Sequence, residues 1–267
     1  MLWTARVSKL FTIALPDGLR LRFYPSSISA ALFVSADARN DDAEFLRLVL
    51  RPGDSYLDCG ANIGHLAIIA RKLVGADGAV TAIEANPRIF GYCQGNLELN
   101  GFADVLALNI ALGEERGLIR ISDRRDDDQN HVGGRGTDVP MHPLDEVVGT
   151  APVTLLKLDV EGFELFVLRG ARETLSRTSI VYCELSSTNS ARFGYQPSEA
   201  EDLLLEAGFL LARCSDGAWA VGRRRLFETL RSDEQPRSGY NLVAIKPAAL
   251  PMFVSRVAAH GQRVVTT

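Results

Sequence analysis

Short apolar runs alternate with amphipathic stretches along most of the chain between residues 55 and 208. Runs of strand length occupy 55–59, 79–83, 105–112, 153–159 and 180–184. Stretches with helical spacing lie between or after them, at 63–74, 87–99, 163–176 and 197–207. Because strands that alternate with helices usually pair in parallel, this pattern predicts an α/β fold, a Rossmann-like sheet with helices on both faces.

The first 54 residues follow a different pattern. Alternating apolar and polar residues flank Pro16-Asp17-Gly18, which predicts a β-hairpin over 11–24. Acidic residues before an apolar face predict a helix over 41–50. We interpret residues 1–54 as a hairpin and helix that flank or cover a site, and not as an independent domain.

The second half of the chain is less regular. Residues 117–121 predict an edge strand. The polar, glycine-rich stretch 122–140 is either a mobile active-site loop or a disordered insertion. A late strand at 241–245 is expected to be antiparallel to its neighbours. We therefore expect the main domain to span 55–246, followed by a tail at 247–267 that the pattern does not place.

Composition narrows the class of protein. The chain has 267 residues, of which 46% are hydrophobic and 23% charged, as expected for one large soluble domain or one domain with an elaboration. The net charge of -4 gives no electrostatic signature of nucleic-acid binding. The four cysteines are far apart, and the N-terminus opens no long apolar run. We expect reduced thiols, a cytoplasmic location and no membrane partner.

The strongest candidate for a ligand site is the turn after the first predicted sheet strand. Asp58 lies at the end of that strand, and Gly60-x-x-x-Gly64 predicts a tight turn before a helix. Such a turn brings the backbone close to a ligand. Glu84 ends the next strand, where a carboxylate can accept hydrogen bonds from both hydroxyls of a ribose.

The spacing of this turn favours a nucleoside without phosphate. It lacks the G-x-G-x-x-G spacing of dinucleotide sites and the Lys-Ser/Thr pair of triphosphate sites. The acid at its mouth repels phosphate and attracts a cation. S-adenosylmethionine combines a ribose with sulfonium and ammonium charges, so we expect it as the cofactor. The alternatives are a nicotinamide-dependent oxidoreductase and a catalytically silent nucleoside-binding module.

Four stretches together resemble the FkbM-type methyltransferases. They are Asp58-x-Gly60-Ala61-Asn62-Ile63-Gly64, Glu84-x-Asn86-Pro87, Asn96-x-x-x-Asn100 and Lys157-Leu158-Asp159-Val160-Glu161-Gly162-Phe163-Glu164. Leu165-x-x-Leu168-x-Gly170-Ala171 and Glu184 extend the match. The resemblance implies a class I S-adenosylmethionine-dependent methyltransferase that O-methylates a sugar or natural product during its biosynthesis. N- or carboxyl-methylation stays open because these motifs do not define the acceptor.

Sheet position and this resemblance assign a set of residues to the cofactor. They are Asp58, Gly60, Ala61, Asn62, Gly64, Glu84, Ala85, Asn86, Asn109, Ala111 and Asp159. Glu84 is expected to bind the ribose. Asp58 would order the loop and the methionine ammonium group, or cap the following helix. Asn109 and Ala111 would flank the adenine, or belong to an ordinary core strand.

The fourth predicted strand supplies the residues expected at the acceptor. If it stays extended, Lys157, Asp159 and Glu161 project to one side at the carboxyl edge of the sheet. The structural alternative is an ion pair that closes the strand end. An alcohol needs a base to remove its proton. The candidates for that base are Asp159, Glu161, His65 and His131, and the expected substrate-binding residues are His131 and Glu184.

Metal dependence and partners are less strongly indicated. Asp159, Glu161 and Glu184 have the oxygen ligands that Mg²⁺ prefers, but the ammonium of Lys157 already supplies positive charge there. A metal-free site is therefore favoured. We expect a small hydroxylated molecule as the partner, and neither nucleic acid nor membrane. The oligomeric state stays open, a homodimer included.

Overall fold

The computed structural model describes residues 11–35, 40–122, 131–133, 136–215, 217–223 and 239–266, with the backbone alone at Asn40 and Ser215. The chain forms two compact units. The first contains Met1–Asp54, Gly60–Ala111 and Leu118–Pro140. The second contains Ser55–Cys59, Leu112–Gly117 and Met141–Thr267.

The described strands are β1 (Thr12–Ala14), β2 (Arg20–Arg22), β3 (Ser55–Cys59), β4 (Ala79–Ile83), β5 (Leu106–Leu108), β6 (Ala111–Leu112), β7 (Gly117–Ser122), β8 (Gly136–His142), β9 (Val153–Leu158), β10 (Thr178–Leu185), β11 (Leu210–Ser215), β12 (Ala218–Gly222), β13 (Tyr240–Ile245) and β14 (Arg263–Thr266). The described α-helices are α1 (Ser27–Val34), α2 (Asn40–Val49), α3 (His65–Val74), α4 (Pro87–Leu99), α5 (Leu144–Val147), α6 (Glu164–Arg169), α7 (Arg172–Ser176), α8 (Ser187–Ala191), α9 (Pro197–Glu206) and α10 (Leu250–Ala258). Short 3₁₀ turns occupy Pro16–Gly18 and Pro247–Ala249.

The N-terminal hairpin is confirmed in the first unit. β1 and β2 pair antiparallel, with Ile13 opposite Leu21, whose side chain is completely buried. The helix predicted over 41–50 is α2. Helix α1 was not predicted, because its apolar residues are spread around the helix without an amphipathic period. It begins where the hydroxyl of Ser26 accepts a hydrogen bond from the Ser29 N–H.

A parallel pair of strands, β4 and β5, follows in the first unit, with Thr81 opposite Leu106. The single buried strand predicted over 105–112 is wrong, since the chain forms the two short strands β5 and β6. Asn109 interrupts the run because its amide donates to the carbonyls of Glu84 (2.8 Å) and Ala85 (3.0 Å). An asparagine that hydrogen-bonds to a neighbouring backbone breaks the strand pattern.

The loop predicted over 122–140 is only partly correct. Residues 123–130 and 134–135 lie outside the described residues, but Gly136–His142 is strand β8. Gly136 follows the backbone of Ile121 so closely that a Cβ atom would lie 1.7 Å from its carbonyl oxygen. The Arg120 guanidinium also contacts the Asp138 carboxylate at 2.7 Å. A glycine that suggested a loop is therefore required by close strand contact.

The second unit contains seven strands of one sheet, in the order β14-β12-β11-β13-β10-β9-β3. β3, β9 and β10 are parallel, which confirms the alternating pattern, and β13 is antiparallel to β10, as predicted. Aliphatic side chains at the centre of this sheet are completely buried: Leu155, Leu156, Ile180, Val181, Leu242 and Ile245.

One of the helices predicted for the second unit is divided in the structure. The helix expected over 163–176 is two helices, α6 and α7. The carbonyl of Gly170 accepts a hydrogen bond from the Asp145 N–H at 3.1 Å and does not continue the helix. A Cβ atom at Gly170 would also lie 2.1 Å from the carbonyl oxygen of Gly113. The predicted helix from Pro197 is confirmed as α9, and Gly208 with φ 84° follows it.

The final segment, which the pattern did not place, forms regular secondary structure within its described residues. It forms a 3₁₀ turn, α10 and β14, and β14 pairs parallel to β12 with Val264 opposite Trp219. Phe253 of α10 is completely buried and packs edge-on against Trp219. The segment therefore forms the outer strand of the sheet and part of its core.

Candidate functional site

The loop from Gly60 to Gly64 has an unusual backbone. Gly60, Asn62 and Gly64 all have positive φ angles, of 84°, 50° and 79°. Gly64 is the N-cap of α3, so the helix predicted from residue 63 begins at His65. A Cβ atom at Gly64 would lie 2.8 Å from the Cys93 sulfur. The motif glycine is therefore needed both for the left-handed turn and for contact with α4.

Every backbone N–H group of this loop has an acceptor within the protein. Gly60 and Ala61 donate to the Ile83 carbonyl (3.0 and 2.9 Å), and Gly64 donates to the Ala61 carbonyl (2.9 Å). Asn62 donates to Glu84, and Ile63 donates to the Asn62 side chain. A phosphate-binding loop instead directs its N–H groups toward the ligand. This loop is therefore not built as a phosphate cradle.

Glu84 is held in place at the end of β4. Its Oε2 accepts the Asn62 N–H at 2.9 Å, and its Oε1 accepts the Asn86 N–H at 2.8 Å. The two bonds fix the carboxylate between the glycine loop and the start of α4. An ionised carboxylate has about four acceptor positions. A carboxylate oriented in this way can accept hydrogen bonds from both hydroxyls of a ribose.

Two asparagines fix the backbone around Glu84. The Asn86 side chain caps α4 by accepting the Arg88 and Ile89 N–H groups, and its amide donates to the Ser122 carbonyl at 3.1 Å. Asn109 donates to the carbonyls of Glu84 and Ala85, as described above. Ala111, two residues later, is buried. Both asparagine side chains therefore hydrogen-bond to backbone groups of the protein.

Backbone hydrogen bonds to Ser122 connect His131 to this region. The His131 N–H donates to the Ser122 hydroxyl at 3.0 Å, and the His131 carbonyl accepts the Ser122 N–H at 3.0 Å. Because Ser122 also accepts from Asn86, two hydrogen-bond steps join the backbone of His131 to the start of α4. His65, the other histidine candidate, is buried at the start of α3. The base role of both remains a prediction.

In the second unit, Asp58, Lys157 and Asp159 form a buried charge cluster. The Lys157 ammonium is 3.5 Å from Asp58 Oδ1 and 3.3 Å from Asp159 Oδ2. Asp58 is completely buried and Lys157 is 5% exposed. Burial raises the pKa of Asp58 to about 6, and the charge of Asp159 adds to the increase while that of Lys157 opposes it. The helix-capping role considered for Asp58 is wrong, because Gly64 occupies the N-cap.

The segment after β9 does not stay extended. The strand ends at Leu158, and Glu161 and Gly162 have φ angles of 56° and 98°. The condition for residues 157, 159 and 161 to project to one side is therefore not met, although Lys157 and Asp159 lie in contact. Glu161 Oε2 instead accepts a hydrogen bond from the Asn189 amide at 3.0 Å. A non-glycine residue in this conformation is strained, as is common at functional sites.

The buried Glu164 side chain stabilises this turn through hydrogen bonds. Its Oε1 accepts the N–H groups of Val160 (3.2 Å) and Gly162 (3.0 Å), and its Oε2 accepts the Tyr195 hydroxyl (3.0 Å). Burial is the main cause that raises the pKa of this carboxyl group. Sequence reasoning gave no role to Glu164, Tyr195 or Asn189. The only local signal was the position of Glu164, an acid two residues after Gly162. Tyr195 and Asn189 lie far along the chain from the residues that they contact.

Glu184, the remaining predicted residue, lies in β10. It is half-buried and pairs across the sheet with Asn241 of β13. Among the described residues, no three His, Cys, Asp or Glu side chains are grouped as metal ligands. In the same part of the chain, no helix is both long and apolar enough to span a bilayer.

The model of the methyltransferase FkbM domain matches residues 58–211. The chain belongs to this family. The matched range contains the glycine loop, Glu84 and the charge cluster, so the family resemblance noted in the sequence is confirmed. The α/β fold class is confirmed with it.

Individual relatives are more distant. The chain is 28% identical over 148 residues to "Methyltransferase 1" of Beauveria bassiana, an alignment that covers 45% of this chain and 59% of that protein. The chain thus spans less than two thirds of the curated relative that it matches. Among solved structures, a methyltransferase FkbM from Methylobacillus flagellatus has 17% identity and a TM-score of 0.46, covering 82% of this chain and 53% of that one. A SAM-dependent O-methyltransferase from Thermotoga maritima has 15% identity and a TM-score of 0.45, covering 78% and 65%.

Proposed function

We propose that this protein binds S-adenosylmethionine and transfers its methyl group to a hydroxyl oxygen of a small molecule, a sugar or natural product. The observation that carries the proposal is the Glu84 carboxylate, held by the N–H groups of Asn62 and Asn86 beside a left-handed glycine loop. Membership of the FkbM domain family supports it. A cytoplasmic location and a role in natural product biosynthesis belong to the same proposal.

The residues of the first unit fit this cofactor better than a dinucleotide. The Glu84 carboxylate suits a ribose diol. The five N–H groups from Gly60 to Gly64 are engaged within the protein, which disfavours a pyrophosphate. An acid in the position of Glu84 would bind the ribose of a nicotinamide coenzyme equally well. The preference for S-adenosylmethionine therefore rests on the glycine loop and not on Glu84.

The methyl donor and the acceptor need different contributions from the protein. When bound, the cofactor supplies an activated methyl group on a sulfonium. Glu84 holds the ribose, and Asn86 and Asn109 keep its backbone in place. We assign removal of the acceptor proton to Asp159, since Lys157 holds its carboxylate at 3.3 Å and it is less buried than Asp58.

Calorimetry with S-adenosylhomocysteine tests the cofactor half of this proposal. Wild-type protein should bind it, and Glu84→Gln should bind about 100-fold more weakly, because charge-assisted bonds to both ribose hydroxyls are lost. The glutamine amide also places N–H groups against a backbone N–H donor. Glu98→Gln on α4, an exposed acid outside this region, is the matched control and should bind like wild type.

Two results would contradict this half. One is unchanged affinity in Glu84→Gln, which would remove the ribose role of Glu84. The other is wild-type protein that shows no binding of S-adenosylhomocysteine but binds NAD⁺. The second result would restore the oxidoreductase alternative.

The acceptor half needs a transfer assay. Wild-type protein with isotopically labelled S-adenosylmethionine should methylate members of a panel of sugars and hydroxylated small molecules, detected by mass spectrometry. Matched amines and carboxylic acids form the other arms of the panel. Methylation confined to amines or carboxylates would replace the O-methyl assignment while keeping the cofactor.

A further inference from the structure

Two asparagines at the end of α4 hydrogen-bond to the N-terminal hairpin. Asn96, in the last turn, accepts the Arg22 N–H at 2.8 Å. Asn100, at the C-cap, accepts the Arg20 N–H at 2.9 Å and donates to the Arg20 carbonyl at 2.7 Å. The two residues form the Asn96-x-x-x-Asn100 motif of the sequence, which the proposed chemistry does not use.

The hairpin edge needs these partners. In β2, the N–H groups of successive residues face opposite sides. Phe23 donates to the Phe11 carbonyl across the hairpin, so Arg22, one residue earlier, directs its N–H away from β1. Without α4, the outer N–H groups of this edge strand would have no protein partner. The amides of Asn96 and Asn100 therefore serve as a third strand would.

Asn96 has a second bond that Asn100 lacks. Its amide donates to the carbonyl of Ile63 at 2.7 Å, immediately before Gly64 in the glycine loop. The second bond of the Asn100 amide is to the Asn96 carbonyl at 2.8 Å. The Asn96 side chain is completely buried. One amide thus uses its oxygen for the hairpin and its nitrogen for the loop.

We propose that Asn96 is a positioning residue that makes the N-terminal hairpin part of the cofactor-binding apparatus. By holding the Ile63 carbonyl, it keeps Asn62 and Gly64 in their left-handed conformations. Asn62 in turn holds the Glu84 carboxylate. The identity of the ligand rests on the proposed function, but the hairpin–loop coupling does not.

The first test measures amide hydrogen exchange in protein without ligand. Asn96→Leu keeps the side-chain size but removes both bonds. The amides of 62–64 should exchange about tenfold faster than in wild type, which corresponds to the loss of one hydrogen bond. Asn100→Leu, the matched control, should speed exchange in the hairpin but change the loop amides less than about twofold. Equal loop exchange in the two variants would overturn the proposal.

The second test changes the hairpin end of the bridge, in case Asn96→Leu does not fold. Arg22→Pro removes the guanidinium and the backbone N–H that Asn96 accepts, at an outer-edge position where proline is tolerated. Arg22→Ala removes the same guanidinium but keeps the N–H. Faster loop exchange in Arg22→Pro alone is the expected result. Identical loop exchange in both variants would show that the hairpin does not support the loop.

The third test separates this proposal from the proposed function. Asn96→Leu should bind S-adenosylhomocysteine about tenfold more weakly, and Asn100→Leu should stay within about twofold of wild type. If wild type binds and Asn96→Leu binds equally well, the positioning role is refuted. If wild type does not bind, the proposed cofactor is refuted, and the exchange experiments still decide the coupling.

Discussion

Asp58 offers a test of the charge cluster that does not depend on any ligand. It is completely buried on β3, and its counter-ion Lys157 is 3.5 Å away. That distance exceeds the 2.7–2.9 Å of a strong charge-assisted hydrogen bond. Burial therefore dominates, and it raises the pKa of Asp58 from 3.8 to about 6.

The direction of the pH effect follows from this shift. Because the folded protein holds the Asp58 proton more tightly than the unfolded chain, the contribution to stability is present below pH 3.8 and is lost as pH rises through about 6. A shift of about two pKa units corresponds to roughly 3 kcal/mol in the free energy of unfolding. Asp58→Asn cannot titrate and should lose this dependence.

Urea unfolding at a series of pH values between about 3 and 7 measures the effect. Fluorescence of the buried Trp219 reports on the second unit, which contains Asp58. The stability difference between the two pH limits should be roughly 3 kcal/mol larger in wild type than in Asp58→Asn. Asp138→Asn is the control. Its exposed carboxyl has a pKa lowered by Arg120, so its contribution is lost toward acid pH and cannot reproduce the effect.

An identical pH dependence in wild type and Asp58→Asn would refute the reasoning. It would show that Lys157 compensates fully for burial, so that Asp58 is ionised throughout this range. A larger dependence in the variant would reverse the sign and would require a folded-state pKa below that of the unfolded chain.

Two further predictions concern the segment after β9. Asp159→Asn should leave S-adenosylhomocysteine affinity within about twofold of wild type while lowering kcat by about 10²–10⁴, as expected for a general base; full turnover would transfer the base role to another residue. Glu161→Gly and Glu161→Ala both remove the carboxylate that Asn189 holds, but only alanine keeps the strain of a φ near 56°. Thermal unfolding should find the glycine variant more stable by about 1 kcal/mol, since the left-handed penalty exceeds the entropy cost of glycine. Equal or greater stability of the alanine variant would show that the turn is unstrained.

The sequence predicted those features that local spacing controls. The Pro-Asp-Gly hairpin, the glycine loop before α3 and the acid at the end of β4 all follow from residue order within short windows. Prediction failed where a distant group competes for a backbone atom. Asn109 breaks a regular apolar run because its amide reaches Glu84 and Ala85. Gly170 ends α6 because its carbonyl binds Asp145 rather than the next helical turn.

The sequence alone therefore determined the α/β pattern, the family and the residue types that could bind a nucleoside. The tertiary structure alone decided how those residues are held. Asn96 joins Arg22 to Ile63 across 74 and 33 positions of the chain, and Asn189 reaches Glu161 across 28. Hydrogen bonds of this kind depend on distance and angle in space, and no periodicity along the chain encodes them.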